Sequence, residues 1–272
     1  MSLIIEKTYN LLKSRYKKRF EELVISDVRI GLYLTAVRLS DNSTGTSATL
    51  TDDNPLCAKS KRNFGDFTPL RIKGQKVPDI LELQKESGII SSLKTAVLNA
   101  VSSGIIASGH YKIIENSDPI QLLDLDSLKT ITIVGAFQSY IRKVSETKNK
   151  LNVLEQNENA LSPDQRKFFV PAADYIKVIP SSDIVIITGQ TLVNRTIDEL
   201  LAAVSPGTEV IVTGPSSGLL PDILFENKVT IIGTSRIIRP EILFDIVSEG
   251  GAGYHLFEYC AQKICILNSN GS

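Results

Sequence analysis

The sequence predicts an α/β protein in two parts, an N-terminal α+β module over residues 1–115 and a doubly wound parallel sheet over 116–272. Three observations carry this reading. Short apolar runs recur from Ile131 onward with helical stretches between most of them, as in a parallel sheet covered on both faces. Residues 28–34 alternate apolar and polar, the period of a half-buried strand. Proline and hydroxyl residues stand where helices should begin.

Residues 3–23 read as a helix, with Leu3, Ile4, Leu11, Leu12, Tyr16 and Phe20 roughly along one side. Its basic stretch at 13–19 is followed at once by Glu21 and Glu22, which marks a solvated face. After the strand at 28–34 the apolar parity switches to Val37 and Leu39, which predicts a bulge or bend near 35–36. Turn residues at 41–45 then return the chain through 46–51. Residues 52–76 are polar and irregular and are expected to form a loop. The pattern is helical from Val77 to Ile106, interrupted at Ser87-Gly88, and 112–129 reads as the crossing between the two parts.

Strands of the second part are expected at 131–135, 151–154, 184–188, 209–213, 229–233 and 263–267. Ser162-Pro163-Asp164-Gln165 and the run from Thr196 to Glu199 are capping-box helix starts. Pro221 and Pro240 suit the first turns of two later helices, and Gly250-Gly251 closes the last one.

Composition excludes several classes. The 272 residues suit one large or two ordinary domains, 42% are apolar, and the mean hydropathy is near zero. Thirty basic residues balance thirty acidic ones, so no electrostatic case exists for nucleic acid or an anionic membrane as partner. Glu6 and Lys7 interrupt any signal-peptide core, which predicts a cytoplasmic protein. Three cysteines form no disulfide framework. His255, Cys260 and Cys265 lack a zinc-site spacing; the two cysteines are expected to be small core residues beside the last strand and His255 to be structural or exposed, so no metal ligand is assigned.

In a doubly wound sheet, ligands lie beyond the carboxyl ends of the strands. Those positions hold Gly135-Ala136-Phe137-Gln138, then Glu155, then Thr188, Gly189, Gln190, Thr191 and Asn194, then Gly214, Pro215, Ser216, Ser217 and Gly218, and last Gly233-Thr234-Ser235. They are expected to converge on one crevice that binds a polar small molecule, anionic ones included. A dinucleotide fingerprint fails, because Phe137 and Tyr140 stand where the second and third glycines belong. An S-adenosylmethionine-type site, with Glu155 on a ribose, stays open. No nucleophile elbow, P-loop or metalloprotease motif occurs, so catalytic residues, cofactor and enzymatic status are left unassigned.

The chain resembles a bacterial and archaeal family described as a putative heavy-metal-chelation domain. The matching stretches are Val134 to Phe137, Glu155, Asp183 through Thr196, Gly214 to Ser216, and Ile232 to Thr234, preceded by Gly31 through Leu39, Gly45 and Leu98-Asn99-Ala100. The resemblance implies an enolase-N-terminal-like module joined to a Rossmann-like domain, a site between them, and Asn99 as the module's polar contribution. It leaves three functions open: small-molecule binding linked to chelator or cofactor metabolism, transfer from an adenosylmethionine-type cofactor, and direct metal binding through Cys57, Cys260, Cys265 and the histidines. Assembly into a homo-oligomer is also open.

Overall fold

The computed structural model describes residues 2–51 and 64–269. Both expected parts are present: an antiparallel three-stranded sheet with helices, and a mostly parallel eight-stranded sheet. Cys57 and the rest of the loop's first part, residues 52–63, lie outside the described residues.

The first helical stretch is divided at Lys17, whose φ is +51°, into α1 (Leu3–Tyr16) and α2 (Lys18–Glu22). Ser2 caps α1 by accepting from the Ile5 N–H at 3.3 Å. The Asp198 carboxylate also accepts from Leu3 and Ile4 N–H, at 2.9 and 3.1 Å. This places an anion at the positive end of the helix dipole.

Strands β1 (Ile25–Ile30), β2 (Leu34–Leu39) and β3 (Thr44–Ala48) form the antiparallel sheet in that order. The alternating run at 28–34 is therefore two strands rather than one. The chain reverses at 31–34, where the Gly31 N–H donates to the Leu34 carbonyl at 2.9 Å and Leu32 and Tyr33 face solvent. The parity switch at 35–36 records that reversal, and the one register irregularity falls between Ile25 and Asp27. Helix α3 (Val77–Glu82) follows, and then α4 (Gly88–Ile106) begins at Ser87, whose hydroxyl accepts from the Ile90 N–H. Helix α4 lies across β2 and β3. By length and composition it could cross a membrane, yet 72% of its apolar window is buried inside the protein.

The larger sheet contains β4 (Lys112–Glu115), β5 (Thr130–Val134), β6 (Lys150–Glu155), β7 (Phe169–Pro171), β8 (Ile184–Thr188), β9 (Glu209–Thr213), β10 (Ile231–Ile237) and β11 (Ala261–Leu267). Its spatial order is β4-β11-β10-β9-β8-β5-β6-β7. Strands β10 through β7 in that list are parallel, whereas β11 runs antiparallel to both neighbours. The six expected strands therefore do not all run one way. The last returns directly alongside β10.

Helices α5 (Gln138–Ser145), α6 (Tyr175–Val178), α7 (Gln190–Asn194), α8 (Ile197–Ala202), α9 (Pro221–Glu226), α10 (Pro240–Ser248) and α11 (Gly253–Tyr259) connect these strands. One core joins α1, α4 and the module to one face of the sheet through Leu98, Val101, Val185, Ile187 and Leu192. On the opposite face, Tyr140, Ile141 and Val144 of α5 cover Ile131, Ile133, Ile184 and Ile186.

Pro221 and Pro240 open their helices as expected. Other boundary signals fail. No α-helix starts at Ser162: its hydroxyl engages Asp164 at 2.7 Å, and buried Gln165 donates to the Gln138 carbonyl, leaving a single turn before β7. Thr196 precedes α8 without a side-chain cap bond, since its hydroxyl donates to Asn194 Oδ1 at 2.8 Å. Gly250 ends α10 with φ +78°, but α11 follows it.

The expected core placement of two cysteines holds. Cys260 packs with Leu34, Leu243 and Leu256, while Cys265 packs on the opposite face with Ile131 and donates to the Ser117 carbonyl at 3.2 Å. Burial pushes both thiols up, Cys265 to about 11. Tyr111 carries a pH prediction. Burial, and then its hydrogen bond to Asp222, push the phenol from 10.0 up to about 12. A folded value above the unfolded one contributes stability that is complete below pH 10 and is lost as pH rises toward 12. Urea midpoints are expected to fall through that window, and Tyr111→Phe to flatten the fall. A decline of unchanged slope in the variant would contradict this.

Candidate functional site

Strand order reverses direction between β5 and β8: β6 and β7 extend to one side, and β9, β10 and β11 to the other. In an open α/β sheet the loops that leave such a point part in opposite directions, which leaves a crevice beyond the strand ends. A cavity of about 540 Å³ occupies it. It is lined by Val134 to Phe137 after β5, Leu154 to Gln156 after β6, Ala172, Ala173 and Tyr175 after β7, and Thr188, Gln190, Thr191 and Asn194 after β8, with Thr196, Glu199 and Leu200 closing one side.

Each wall has a local cause. Gly135 takes φ +103°, and a Cβ there would stand 3.1 Å from Thr188 Cγ2, so the backbone needs glycine on both counts. Phe137 stacks on Tyr140 with ring centroids 5.3 Å apart, half-buried at the pocket edge. The Glu155 carboxylate bends back to accept from the Gln156 N–H at 2.7 Å. Thr191 is buried and donates to the Thr188 carbonyl at 2.7 Å, while the Thr188 hydroxyl accepts from the Gln190 N–H at 3.3 Å. Asn194 is exposed, and its Oδ1 closes a turn onto the Thr196 N–H and hydroxyl. From behind, Ser91 of α4 donates to the Val193 carbonyl at 2.8 Å and Glu86 pairs with Arg195. The module thus buttresses the loop that lines the pocket.

The expected site residues divide. Gly135, Phe137, Glu155, Thr188, Thr191 and Asn194 share this pocket. Gly189, Gly214 and Ser216 form the wall behind it. The Gly189 N–H donates to the Thr213 carbonyl at 2.7 Å, and a Cβ at Gly189 would stand 3.0 Å from the Ser217 nitrogen. Ser216 is buried, and its hydroxyl accepts from the Ala48 N–H at 2.7 Å, so it ties the module to the sheet. Asn99 does likewise, donating to the Thr46 and Ser216 carbonyls at 2.7 and 3.0 Å. Asn99 and Pro215 line a separate crevice between module and sheet. One common hollow for the expected residues is therefore not what the loops build, because the 188–190 and 214–217 segments pack against each other.

Sequence reasoning missed Ala172, Ala173, Tyr175 and Glu199. Strand β7 is only three residues long and ends on Pro171, a residue that reads against a strand. Glu199 read as a capping-box partner. Its side of α8 turns out to face the pocket.

Charge constrains what the pocket accepts. Among the described residues its carboxylates are Glu155 and Glu199, and no lysine, arginine, histidine or cysteine lines it. Val134, Leu154, Leu200, Phe137 and Tyr175 supply apolar surface beside the hydroxyl and amide groups. A multiply anionic ligand would meet like charge, with no compensating cation among the described lining residues. A neutral or cationic molecule with a flat apolar part meets complementary surface.

Comparison with known proteins agrees with this architecture. A family model described as "Putative heavy-metal chelation" (DUF364) matches residues 118–266, and a second model of the same description (DUF4213) matches residues 13–102. No curated protein matches the chain. Among solved structures, a protein of unknown function from Pyrococcus horikoshii superposes with a TM-score of 0.79 at 21% identity, covering 98% of this chain and 100% of its own. Another, from Desulfitobacterium hafniense DCB-2, gives 0.73 at 18% identity, covering 97% and 100%. At these identities the likeness concerns the fold. With more than half its length matched by the first model, the chain belongs to the DUF364 family, described as putative heavy-metal chelation.

Proposed function

We propose that this protein binds a polar small molecule, neutral or cationic, in the pocket at the switch point of its large sheet. The observation that supports this best is the convergence of four strand ends on one cavity of about 540 Å³ whose charged lining groups, among the described residues, are two carboxylates. That volume falls in the usual range for small-molecule sites. The reading moves the ligand out of the cleft between module and sheet and makes an anionic metabolite the less suitable occupant. It keeps the protein in the cytoplasm, with a small molecule as partner rather than nucleic acid or a membrane. It assigns no reaction.

A second reading is favoured by Glu155, which lines the pocket twenty residues after Gly135, where a ribose-binding acid belongs in a Rossmann-like sheet. An adenosylmethionine-type cofactor combines a ribose, a flat base and a cationic centre, and lacks the phosphates that this lining would repel.

Direct binding of a heavy metal fits the described residues poorly. Among them no group of three or more His, Cys, Asp or Glu side chains comes together. Cys260 and Cys265 are buried in different clusters with thiols pushed up, so the metal-binding thiolate is disfavoured in both. The family's link to heavy metals is better served here by handling a small molecule than by holding an ion.

Thermal denaturation across a metabolite panel that includes S-adenosylmethionine tests the proposal. A true ligand at a hundredfold excess over its dissociation constant should add about 2.7 kcal/mol. Glu155→Gln and Thr188→Val should each remove most of that gain while leaving the unliganded midpoint within a degree or two. Stabilisation that survives both substitutions would place the ligand elsewhere.

A further inference from the structure

We propose that the outer edge of β1 is a docking strand for a second copy of this chain, clasped shut in the single molecule by two of its own side chains. The order β1-β2-β3 leaves β1 at the edge of the module's sheet. Among the described residues, segment 74–76 covers that edge at Val24 and Ile25. There the Ile25 N–H donates to the Gln75 carbonyl at 2.9 Å and the Gly74 N–H to the Ile25 carbonyl at 2.8 Å. Beyond Ile25 the edge is closed differently. The Gly31 N–H donates to the Leu34 carbonyl, so residues 27, 29 and 31 turn their peptide groups toward β2 and Val28 turns both of its own outward. The Val28 N–H donates to Asp27 Oδ1 at 2.9 Å, and the Val28 carbonyl accepts from the Arg29 guanidinium at 2.9 Å. Arg29 and Lys73 both pair with the Asp27 carboxylate, Lys73 at 2.7 Å. An edge whose outward peptide groups are held by side chains can exchange those partners for another strand.

The run Asp27-Val28-Arg29 selects the partner. A twofold axis through Val28, perpendicular to the sheet, would pair β1 antiparallel with itself and keep each side chain on its own face. Val28 and the partner's Val28 then exchange both backbone bonds, so the outward peptide groups stay satisfied when the clasp opens. Asp27 falls opposite the partner's Arg29, and Arg29 opposite the partner's Asp27, in the close cross-strand position where unlike charges attract. The charge pair that closes the edge within one molecule is thereby remade twice between two. An edge of neutral or like-charged residues would lack this match, which favours a second copy over an unrelated strand. Apolar surface adds to it: Ile30, Leu32 and Tyr33, at the open end of the strand, are 38%, 66% and 56% exposed. None of these residues lines the switch-point pocket, so the interface is independent of the function proposed above.

Sedimentation velocity on the intact chain, from about 10 µM to 1 mM, covers the range expected of a small, transient interface. Wild-type protein should pass from monomer to dimer within that range, and the Val28 amide resonance should shift as it does. Asp27→Arg and Arg29→Asp each set like charges opposite one another and should each weaken self-association about tenfold or more. Mixed in equal amounts, the two variants present unlike charges at both positions and should recover association to within about threefold of wild type. If a reversal prevents folding, Val28→Pro takes its place: proline removes the outward N–H, is tolerated on an edge strand, and should abolish the dimer. Three results would overturn the proposal: a wild-type chain that stays monomeric throughout, a dimer indifferent to the variants, or a mixture that associates no better than its components.

Discussion

Gly45→Ala is expected to lower stability by about 3 kcal/mol or more, at the upper end of what overpacking a core costs. A Cβ at Gly45 would stand 2.2 Å from the Ala100 nitrogen and 2.3 Å from the Ala96 carbonyl oxygen, both in the backbone of α4. Neither atom can rotate away, so the helix must lift from β3. That displacement would spread, since α4 also carries Leu93, Val97 and Leu98 into the core shared with the sheet. For a chain of this size the loss corresponds to a fall of about 6–12 °C in the unfolding midpoint. A change below about 0.5 kcal/mol, the usual size of a surface substitution, would mean that α4 does not rest on β3 as described.

Asn99→Leu should cost nearly as much, for a different reason. The side chain is 4% exposed and donates to the Thr46 carbonyl of β3 and the Ser216 carbonyl of the loop after β9. Leucine has similar bulk but leaves two buried carbonyls unpaired, at about 1–3 kcal/mol each. The expected loss is therefore about 2–5 kcal/mol, read from denaturant midpoints. Ser216→Ala removes the acceptor for the Ala48 N–H across the same seam and should cost about 1–2 kcal/mol. Losses that added without coupling would show the two contacts to be independent, whereas a shared seam predicts coupling of about 0.5 kcal/mol or more in a double-mutant cycle.

Much of this architecture was legible in the chain. The strands β5, β6, β8 and β9 fall within a residue or so of their apolar runs, because a strand buried on both faces must be apolar along its length. Pro221 and Pro240 fixed two helix starts, since proline's constraints are local. Other signals misled where tertiary partners intervened. Gln165 and Thr196 carry the right residue types for capping boxes, but their side chains bond to Gln138 and Asn194 instead. The 28–34 alternation could not disclose a chain reversal at Gly31, a glycine whose place is also set by Val247 in a helix more than two hundred residues away.

The candidate site was half legible for a related reason. Rules about strand ends identify which residues lie on the functional edge, and Gly135, Phe137, Glu155, Thr188, Thr191 and Asn194 did meet in one pocket. They do not say which of those residues face the cavity and which face the seam. Ser216 and Thr188 look alike in sequence, yet one hydroxyl is consumed by Ala48 and the other borders open space. The antiparallel return of β11 was hidden as well, because direction depends on the connection and not on strand composition.

The most direct test is a crystal structure of the protein bound to whichever compound stabilises it best. The account predicts density enclosed by Gly135, Glu155, Thr188 and Asn194, with a polar group of the compound within hydrogen-bond reach of Glu155 or Thr188. Density outside that enclosure, or a switch-point cavity packed shut by the protein's own side chains, would contradict it.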